Sequence, residues 1–109
     1  MGVSRTDLFD LGQNEIAQIA RVFSHPARIA ILQHMVEYKK CINSDLVDIL
    51  GLAQPTVSQH LRELKLAGII KGEIVGNTVS YCIDSKRWEE ISGIFDQFFQ
   101  SIPTDEDLR

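Results

Sequence analysis

Between Gln54 and Arg62 the chain carries polar side chains that can read the edges of nucleic-acid bases. They are Gln54, Thr56, Ser58, Gln59 and Arg62. Amides and hydroxyls form hydrogen bonds with base edges, and a guanidinium can reach guanine or phosphate. The major groove of DNA admits one α-helix, and residues near the N-terminus of that helix meet the bases. On one helix face, these residues would suit DNA binding, although a solvated face of a structural helix has the same composition.

The surrounding pattern predicts two short helices joined by a tight turn. The first should begin at the N-cap residue Asn43 and end at Gly51, with Leu46, Ile49 and Leu50 on its inner face. Gln54-Pro55 then opens a second helix that runs to about Ala67. Its buried stripe comprises Val57, Leu61 and Leu64, so Gln59 and Arg62 point outward. This spacing predicts a helix-turn-helix.

Two apolar-rich strands follow, at 69–75 and 78–83, separated by the two-residue hairpin signal Gly76-Asn77. That turn sets Val75 opposite Thr78. Alternation then places one set of side chains on the core side. The set comprises Ile70, Ile74, Val79, Tyr81 and Ile83. The hairpin completes a mainly α winged helix-turn-helix, in which Lys71 and Asn77 are the wing's candidate DNA contacts.

Three further helices are expected, which makes five in all. They cover 13–23, 26–37 and a last helix from about Ser85. The middle one should bury Ile29, Leu32 and Val36. The last one carries a seam with coiled-coil spacing, comprising Trp88, Ile91, Phe95, Phe98 and Ile102. The first helix adds the stripe Ile16, Ile19 and Phe23. So much apolar surface predicts a homodimer built by the terminal helices.

Length and composition predict one small globular domain. The chain has 109 residues, with tails expected at 1–10 and 103–109. Its net charge of −4 counts against nucleic acid, but residues 54–71 hold Arg62, Lys65 and Lys71 against the single Glu63. No stretch approaches the ~18 apolar residues of a membrane span, and the N-terminus has no secretory pattern. A cytoplasmic protein is expected.

From Phe23 to about Ile83 the chain resembles the ArsR-type (ArsR/SmtB-like) winged-helix repressors. The most specific piece is Leu50-Gly51-Leu52-Ala53-Gln54-Pro55-Thr56-Val57-Ser58-Gln59-His60-Leu61. Ser24-His25-Pro26-Ala27-Arg28 and Leu64-Lys65-Leu66-Ala67-Gly68-Ile69-Ile70 also match. The resemblance implies a dimeric repressor that a metal ion or another small signal releases from DNA. The wing departs from the family, because relatives often carry several arginines there.

Two metal sites familiar in that family are largely missing from this sequence. The first needs a Cys-x-Cys-Asp-Leu stretch, of which only Asp45-Leu46 remains. The second lies on the last helix, where its register reads Asp84, Lys86, Gln97 and Gln100. Of the four ligand positions, only Asp84 keeps a metal-binding residue, and the positive charge of Lys86 would repel a cation. We therefore expect no metal there and no resident cofactor, and the inducer stays open.

The two cysteines, Cys41 and Cys82, are too few for a disulfide scaffold and form no CxxC pair. In a winged helix, however, the short extended piece 40–42 pairs with the strand that holds Cys82. If Ile42 faces the core, both cysteines share the outer face of the sheet. They could then bind a thiophilic ion or sense oxidants, or they could be inert half-buried residues.

The sequence thus predicts a DNA-binding transcriptional regulator, a repressor that binds a palindromic operator as a dimer. The alternative is a winged-helix protein-interaction module without DNA binding, which the acidic total charge and weakly basic wing would suit. Catalysis is not expected, because no nucleophile is paired with a base and no glycine-rich phosphate loop occurs. His60 lies at the edge of the buried stripe, where packing or capping is favoured over base contact.

Overall fold

The computed structural model describes residues 8–43, 50–100 and 102–109. In these ranges the chain forms four α-helices and one β-hairpin. In chain order they are α1 (Leu11–Val22), α2 (Pro26–Tyr38), α3 (Gln54–Leu66), β1 (Ile70–Val75), β2 (Thr78–Ile83) and α4 (Ser85–Phe99). These are four of the five predicted helices; the fifth, predicted after Asn43 with Leu46 and Ile49, lies outside the described residues. None of the helices in these ranges is long and apolar enough to span a membrane.

A capping box starts α1 two residues earlier than predicted. The Asp10 carboxylate accepts a hydrogen bond of 2.7 Å from the Gln13 amide, and the Asp10 amide donates one of 3.1 Å to the Gln13 side chain. These two bonds satisfy amides that the first helical turn leaves without partners. Asp10 therefore belongs to the helix start and not to a tail.

The buried face of α2 differs from the prediction. Ile31, Leu32 and Met35 are almost fully buried, whereas Val36 is 47% exposed and Ile29 is half-buried. The predicted and the observed buried faces both have helical spacing, since apolar residues occur around most of this helix. Its tertiary neighbours select the face, because the Ile31 side packs toward the core that α3 and the hairpin complete.

The hairpin has the predicted register, with Val75 opposite Thr78 and Ile70 opposite Ile83. Its predicted core face is only half correct. Ile70 is 2% exposed, but Ile74 and Val79 are 82% and 41% exposed. The turn fixes which residues share a face, while the distance from the core decides which of them are buried. The tip of the wing therefore extends beyond the core with its apolar side chains uncovered.

One core joins the helices to the root of the wing. Its fully buried members include Ile31, Leu64, Ile69 and Ile70. Ile42 adds a single antiparallel bridge to Tyr81, with reciprocal backbone hydrogen bonds of 2.8 Å each. Ile42 is 6% exposed, so it faces the core as the cysteine argument requires.

A disulfide joins Cys41 and Cys82, whose Cα atoms are 4.4 Å apart. The predicted proximity of the two cysteines is confirmed. A scaffold of several disulfides was not expected from two cysteines, and a single cross-link is what they form. One cross-link forms because Ile42–Tyr81 pairing sets the preceding and following residues side by side.

Candidate DNA-binding surface

Helix α3 is held against the core by three residues one turn apart. Val57, Leu61 and Leu64 are 1%, 5% and 0% exposed. At its start, the Ala53 carbonyl accepts hydrogen bonds from the amides of Thr56 and Val57 at 3.0 and 3.1 Å. This anchoring is the predicted one, and it fixes which side of α3 meets solvent.

The opposite side of α3 presents the predicted polar residues. Gln54, Thr56, Ser58, Gln59 and Arg62 are all exposed. The side-chain amide of Gln54 donates a hydrogen bond of 2.9 Å to the Ser58 hydroxyl. The side-chain amide of Gln59 donates one of 3.2 Å to the Glu63 carboxylate. These bonds, each spanning one helical turn, restrict the rotamers of both glutamines. A face with restricted polar side chains loses less conformational entropy on binding a rigid partner.

Glycine ends α3 and turns the chain into the wing. Gly68 has φ of 78°, a left-handed conformation that costs glycine little, and the Ile69 amide donates back to the Leu64 carbonyl at 3.1 Å. Because Ile69 and Ile70 are then buried, the wing leaves α3 at a fixed angle. Helix and wing therefore form one packed unit.

The two wing residues predicted to contact DNA lie at opposite ends of the hairpin. Lys71 pairs with Cys82 at the root, whereas Asn77 lies in the turn at the tip. Both are exposed. At about 3.3 Å per residue, about 13 Å of strand separates Lys71 from the turn that holds Asn77. The structure therefore does not bring them together, and Asn77 is the one that projects from the body.

A buried arginine that the sequence-based site omitted positions α3. Arg28 on α2 is 9% exposed, and its Nε donates to Nδ1 of His60 at 3.1 Å. Its Nη1 also donates to the Val22 carbonyl at 3.3 Å. One guanidinium thus ties the end of α1, the start of α2 and the middle of α3 together. The signal was present in the matched segment Ser24–Arg28, but only the fold shows the partner of Arg28.

The charge state of His60 follows from this contact. Burial lowers the pKa of its imidazole below 6.5, and the electrostatic influence of Arg28 and then of His25 lowers it further. The His25 and His60 ring centres are 5.5 Å apart. A neutral His60 with an unprotonated Nδ1 is the form that accepts from Arg28. Its contacts support the packing role expected from the sequence.

The predicted dimer residues divide into two groups. Ile19 and Ile91 are each 5% exposed and pack in the chain's own core. Ile16, Phe23, Trp88 and Phe95 are half-buried, and Phe98 is exposed. Ile102 lies past the end of α4 and is 73% exposed, so it does not extend the helical seam.

Three of the second group, Phe23, Trp88 and Phe95, line an open apolar groove between α1, α2 and α4. The rest of its lining comprises Ala20, Ile29, Ile91, Ser92 and Phe99. The Phe23 and Trp88 rings meet edge to face at 6.4 Å, and the Phe95 and Phe99 rings are stacked at 6.2 Å. Aromatic side chains arranged in this way offer a large apolar contact area.

The last helix shows no ligand set for a metal in the described part of the chain. No group of three or more His, Cys, Asp or Glu side chains with metal-binding geometry occurs in that part. Asp84 caps α4 instead, where its carboxylate accepts from the Arg87 amide at 3.1 Å. Lys86, Gln97 and Gln100 are exposed.

A packed helix with an outward polar face, followed by a β-hairpin, defines a winged helix-turn-helix protein. The family model described as "Bacterial regulatory protein, arsR family" matches residues 25–71. The chain is 36% identical over 81 residues to the HTH-type transcriptional regulator MJ1325 of Methanocaldococcus jannaschii, covering 74% of this chain and 91% of that protein. The chain belongs to the arsR family of bacterial regulatory proteins.

Other similar proteins agree with this placement. The HTH-type transcriptional repressor SmtB of Mycobacterium tuberculosis is 44% identical over 64 residues, which are 59% of this chain and 47% of the repressor. The chain thus spans about half the length of that relative. The crystal structure of Rv0081 of M. tuberculosis superposes with a TM-score of 0.67 at 26% identity, over 84% of this chain and 92% of that one.

A solution structure from Mycobacterium bovis shares the same fold. Mb0332, described as a homodimeric winged helix-turn-helix DNA-binding domain, superposes with a TM-score of 0.65 at 16% identity. The match covers 94% of each chain.

Proposed function

We propose that this protein is a transcriptional repressor that binds a palindromic DNA operator as a homodimer, with α3 in the major groove. The observation that carries the proposal is the division of α3 into a buried stripe and an exposed polar face. Val57, Leu61 and Leu64 hold the helix, which leaves Gln59 and Arg62 free of the core. Membership of the arsR family and the repressor named SmtB support the same function.

The proposed role of each residue in the DNA interface follows from its position and from the hydrogen-bonding groups of its side chain. Gln54, Thr56, Ser58 and Gln59 offer amides and hydroxyls to base edges, and Arg62 reaches guanine or phosphate. Asn77 at the wing tip adds a contact beside the groove, while Lys71 at the wing root supplies charge to the backbone. The protein acts by binding and not by catalysis, and it works in the cytoplasm, where its DNA lies.

The homodimer is part of this proposal. The groove rimmed by Phe23, Trp88, Phe95 and Phe99 and the exposed Phe98 would meet the same surfaces of a second copy. The homodimeric state named for Mb0332, which shares this fold, supports that arrangement. Two-fold symmetry sets two α3 helices about 34 Å apart, facing successive major grooves.

Selection of bound DNA from a random pool tests the proposal. We expect enrichment of an inverted repeat with half-sites one helical turn apart. Affinity for the selected fragment should fall at least about tenfold between about 50 and 200 mM salt, since phosphate contacts release counterions. The variant Gln59→Ala/Arg62→Ala is the matched control and should enrich nothing. Failure of the unmodified protein to enrich any sequence would favour the protein-interaction module.

A further inference from the structure

The Cys41–Cys82 disulfide lies beside the only backbone bridge that the described residues before α3 make to the wing. Ile42 and Tyr81 exchange two hydrogen bonds of 2.8 Å, and each cysteine is the neighbour of one of them. Without the disulfide, these two hydrogen bonds and the burial of Ile42 would hold the junction. The disulfide therefore changes how firmly the root of the wing is attached to the segment that follows α2.

The cross-link closes a loop around the proposed DNA-reading part of the chain. Cys41 and Cys82 are 41 positions apart, and α3, β1, the wing tip and most of β2 lie between them. Helices α1, α2 and α4 lie outside this loop. Forming or breaking this disulfide therefore acts directly on α3 and the hairpin. It changes no covalent bond in the helices that line the apolar groove of the proposed dimer.

The two sulfur atoms differ in access. Cys41 is exposed and Cys82 is half-buried. Both border a shallow recess that Lys39 and Lys40 also line. Cys41 is therefore the group that a small oxidant meets first, and Cys82 is the group placed to resolve the product.

Redox chemistry fits this pair better than metal binding does. A structural divalent site in proteins needs about four ligands. The described residues bring no third histidine, cysteine or carboxylate into such a group. A disulfide needs only two thiols whose Cα atoms are less than ~7 Å apart. The observed separation is 4.4 Å.

We propose that Cys41 and Cys82 form a reversible redox switch that a hydroperoxide closes, and that the closed form binds DNA more tightly than the dithiol form. This inference rests on the proposed function. Closure ties the segment after α2 to the root of the wing, so that the packed unit of α3 and the hairpin is preorganised relative to α2. Preorganisation reduces the entropy lost on binding.

With hydrogen peroxide as oxidant, the chemistry takes two steps. The Cys41 thiolate attacks one peroxide oxygen, the O–O bond breaks, and water leaves after proton transfer, giving a sulfenic acid. The Cys82 thiolate then attacks the Cys41 sulfur, the S–S bond forms, and the second oxygen leaves as water. The two thiols lose two electrons, which reduce one peroxide to two waters. A small dithiol reverses the step by thiol–disulfide exchange.

The first measurement follows the thiols of the unmodified protein. We expect one equivalent of hydrogen peroxide to remove two titratable thiols per chain, with no cross-linked dimer under denaturing, non-reducing conditions. Hydrogen exchange at the Ile42 and Tyr81 amides should be slower in the oxidised protein. Cross-links between chains, or exchange rates that do not change, would overturn the intramolecular switch. Neither measurement involves DNA.

The second measurement compares DNA affinity between the two redox forms, using the fragment selected from the random pool. Typical coupling free energies between two sites in a protein correspond to changes in binding affinity of roughly 5- to 150-fold. We expect the oxidised form to bind at least about fivefold more tightly. The matched variant Cys41→Ser/Cys82→Ser should bind like the dithiol form with or without peroxide. Equal affinities, or weaker binding by the oxidised protein, would overturn the proposal.

The comparison of the two redox forms uses the unmodified protein, so it holds even if the serine variant folds poorly. If neither form enriches any DNA, the proposed function fails and the coupling to DNA fails with it. The thiol and exchange measurements then still decide whether the switch itself exists. The two failures are therefore distinguishable.

Discussion

Nε of Arg28 donates a hydrogen bond of 3.1 Å to Nδ1 of His60, a residue in the middle of the proposed recognition helix. The donor is buried and belongs to α2, so the bond links the helix that faces DNA to the body of the protein. A proton on Nδ1 would remove the acceptor. The position of α3 therefore depends on the charge state of one imidazole.

Stability should fall as the pH drops below the ordinary range of histidine. The fold lowers the pKa of His60 from 6.5, so the unfolded chain binds this proton at a higher pH than the folded chain does. The stabilisation is thus complete above 6.5 and is lost as the pH falls toward the lower folded value. Urea unfolding at about pH 7.5 and about pH 5.5 measures this loss. The variant His60→Gln should show a smaller loss, and an equal loss in both proteins would contradict the assignment.

The same contact predicts the effect of removing the imidazole at neutral pH. His60→Ala leaves the Nε–H of buried Arg28 without this acceptor. The free energy of unfolding should fall by about 1–3 kcal/mol, the range for a buried polar group that loses its partner. His25→Ala is the matched control, because His25 is exposed and makes a ring contact without this hydrogen bond. Equal losses in the two variants would argue against a positioning role for the Arg28–His60 pair.

Gln59→Ala and Arg62→Ala should each weaken binding of the selected fragment by about 1–3 kcal/mol if the side chain contacts a base. Both residues are exposed, so the fold should survive, which circular dichroism would check. Lys86→Ala removes an exposed positive charge from α4 and should have little effect on affinity. Unchanged binding by a folded double variant would rule these residues out.

Phe98→Asp should convert the proposed dimer into a monomer and abolish specific DNA binding with it. The side chain is 57% exposed, so the change leaves little cavity in the chain's own core. A buried carboxylate in the centre of an apolar interface carries a large desolvation cost. Ile74→Asp, on the 82% exposed side chain of the wing, should leave the dimer intact in sedimentation. The dimer model fails if the unmodified protein sediments as a monomer at micromolar concentration.

Asp84 should matter for stability and not for zinc. Replacing an N-cap residue by alanine costs about 0.5–2 kcal/mol, so Asp84→Ala should destabilise the protein by that amount. Asp84→Asn keeps a capping oxygen and should recover most of the loss. Calorimetry should detect no tight zinc binding at α4 in any of these proteins. Stoichiometric zinc binding that survives replacement of both cysteines but not of Asp84 would show this expectation to be wrong.

Features set by neighbouring residues were the ones that the sequence predicted well. The bounds of α3 follow from Pro55 at its start and Gly68 after its end, and the turn at Gly76-Asn77 fixes the hairpin register. The buried stripe of α3 follows from its periodicity, because the residues between its buried members are all polar. In each case a few adjacent residues exclude the alternatives.

Only the tertiary structure determined which residues distant in sequence contact one another. Helix α2 offers two apolar stripes, and packing chose Ile31 and Met35 over Val36. The same packing buried Ile19 and Ile91 in the core, which narrows the surface left for a second chain, and it gave Arg28 a partner 32 positions away. The spacing of a single helix cannot distinguish the core of its own chain from a partner's surface, since both are apolar. The local sequence therefore determined which side chains share a face, and the arrangement of all the elements determined what each face contacts.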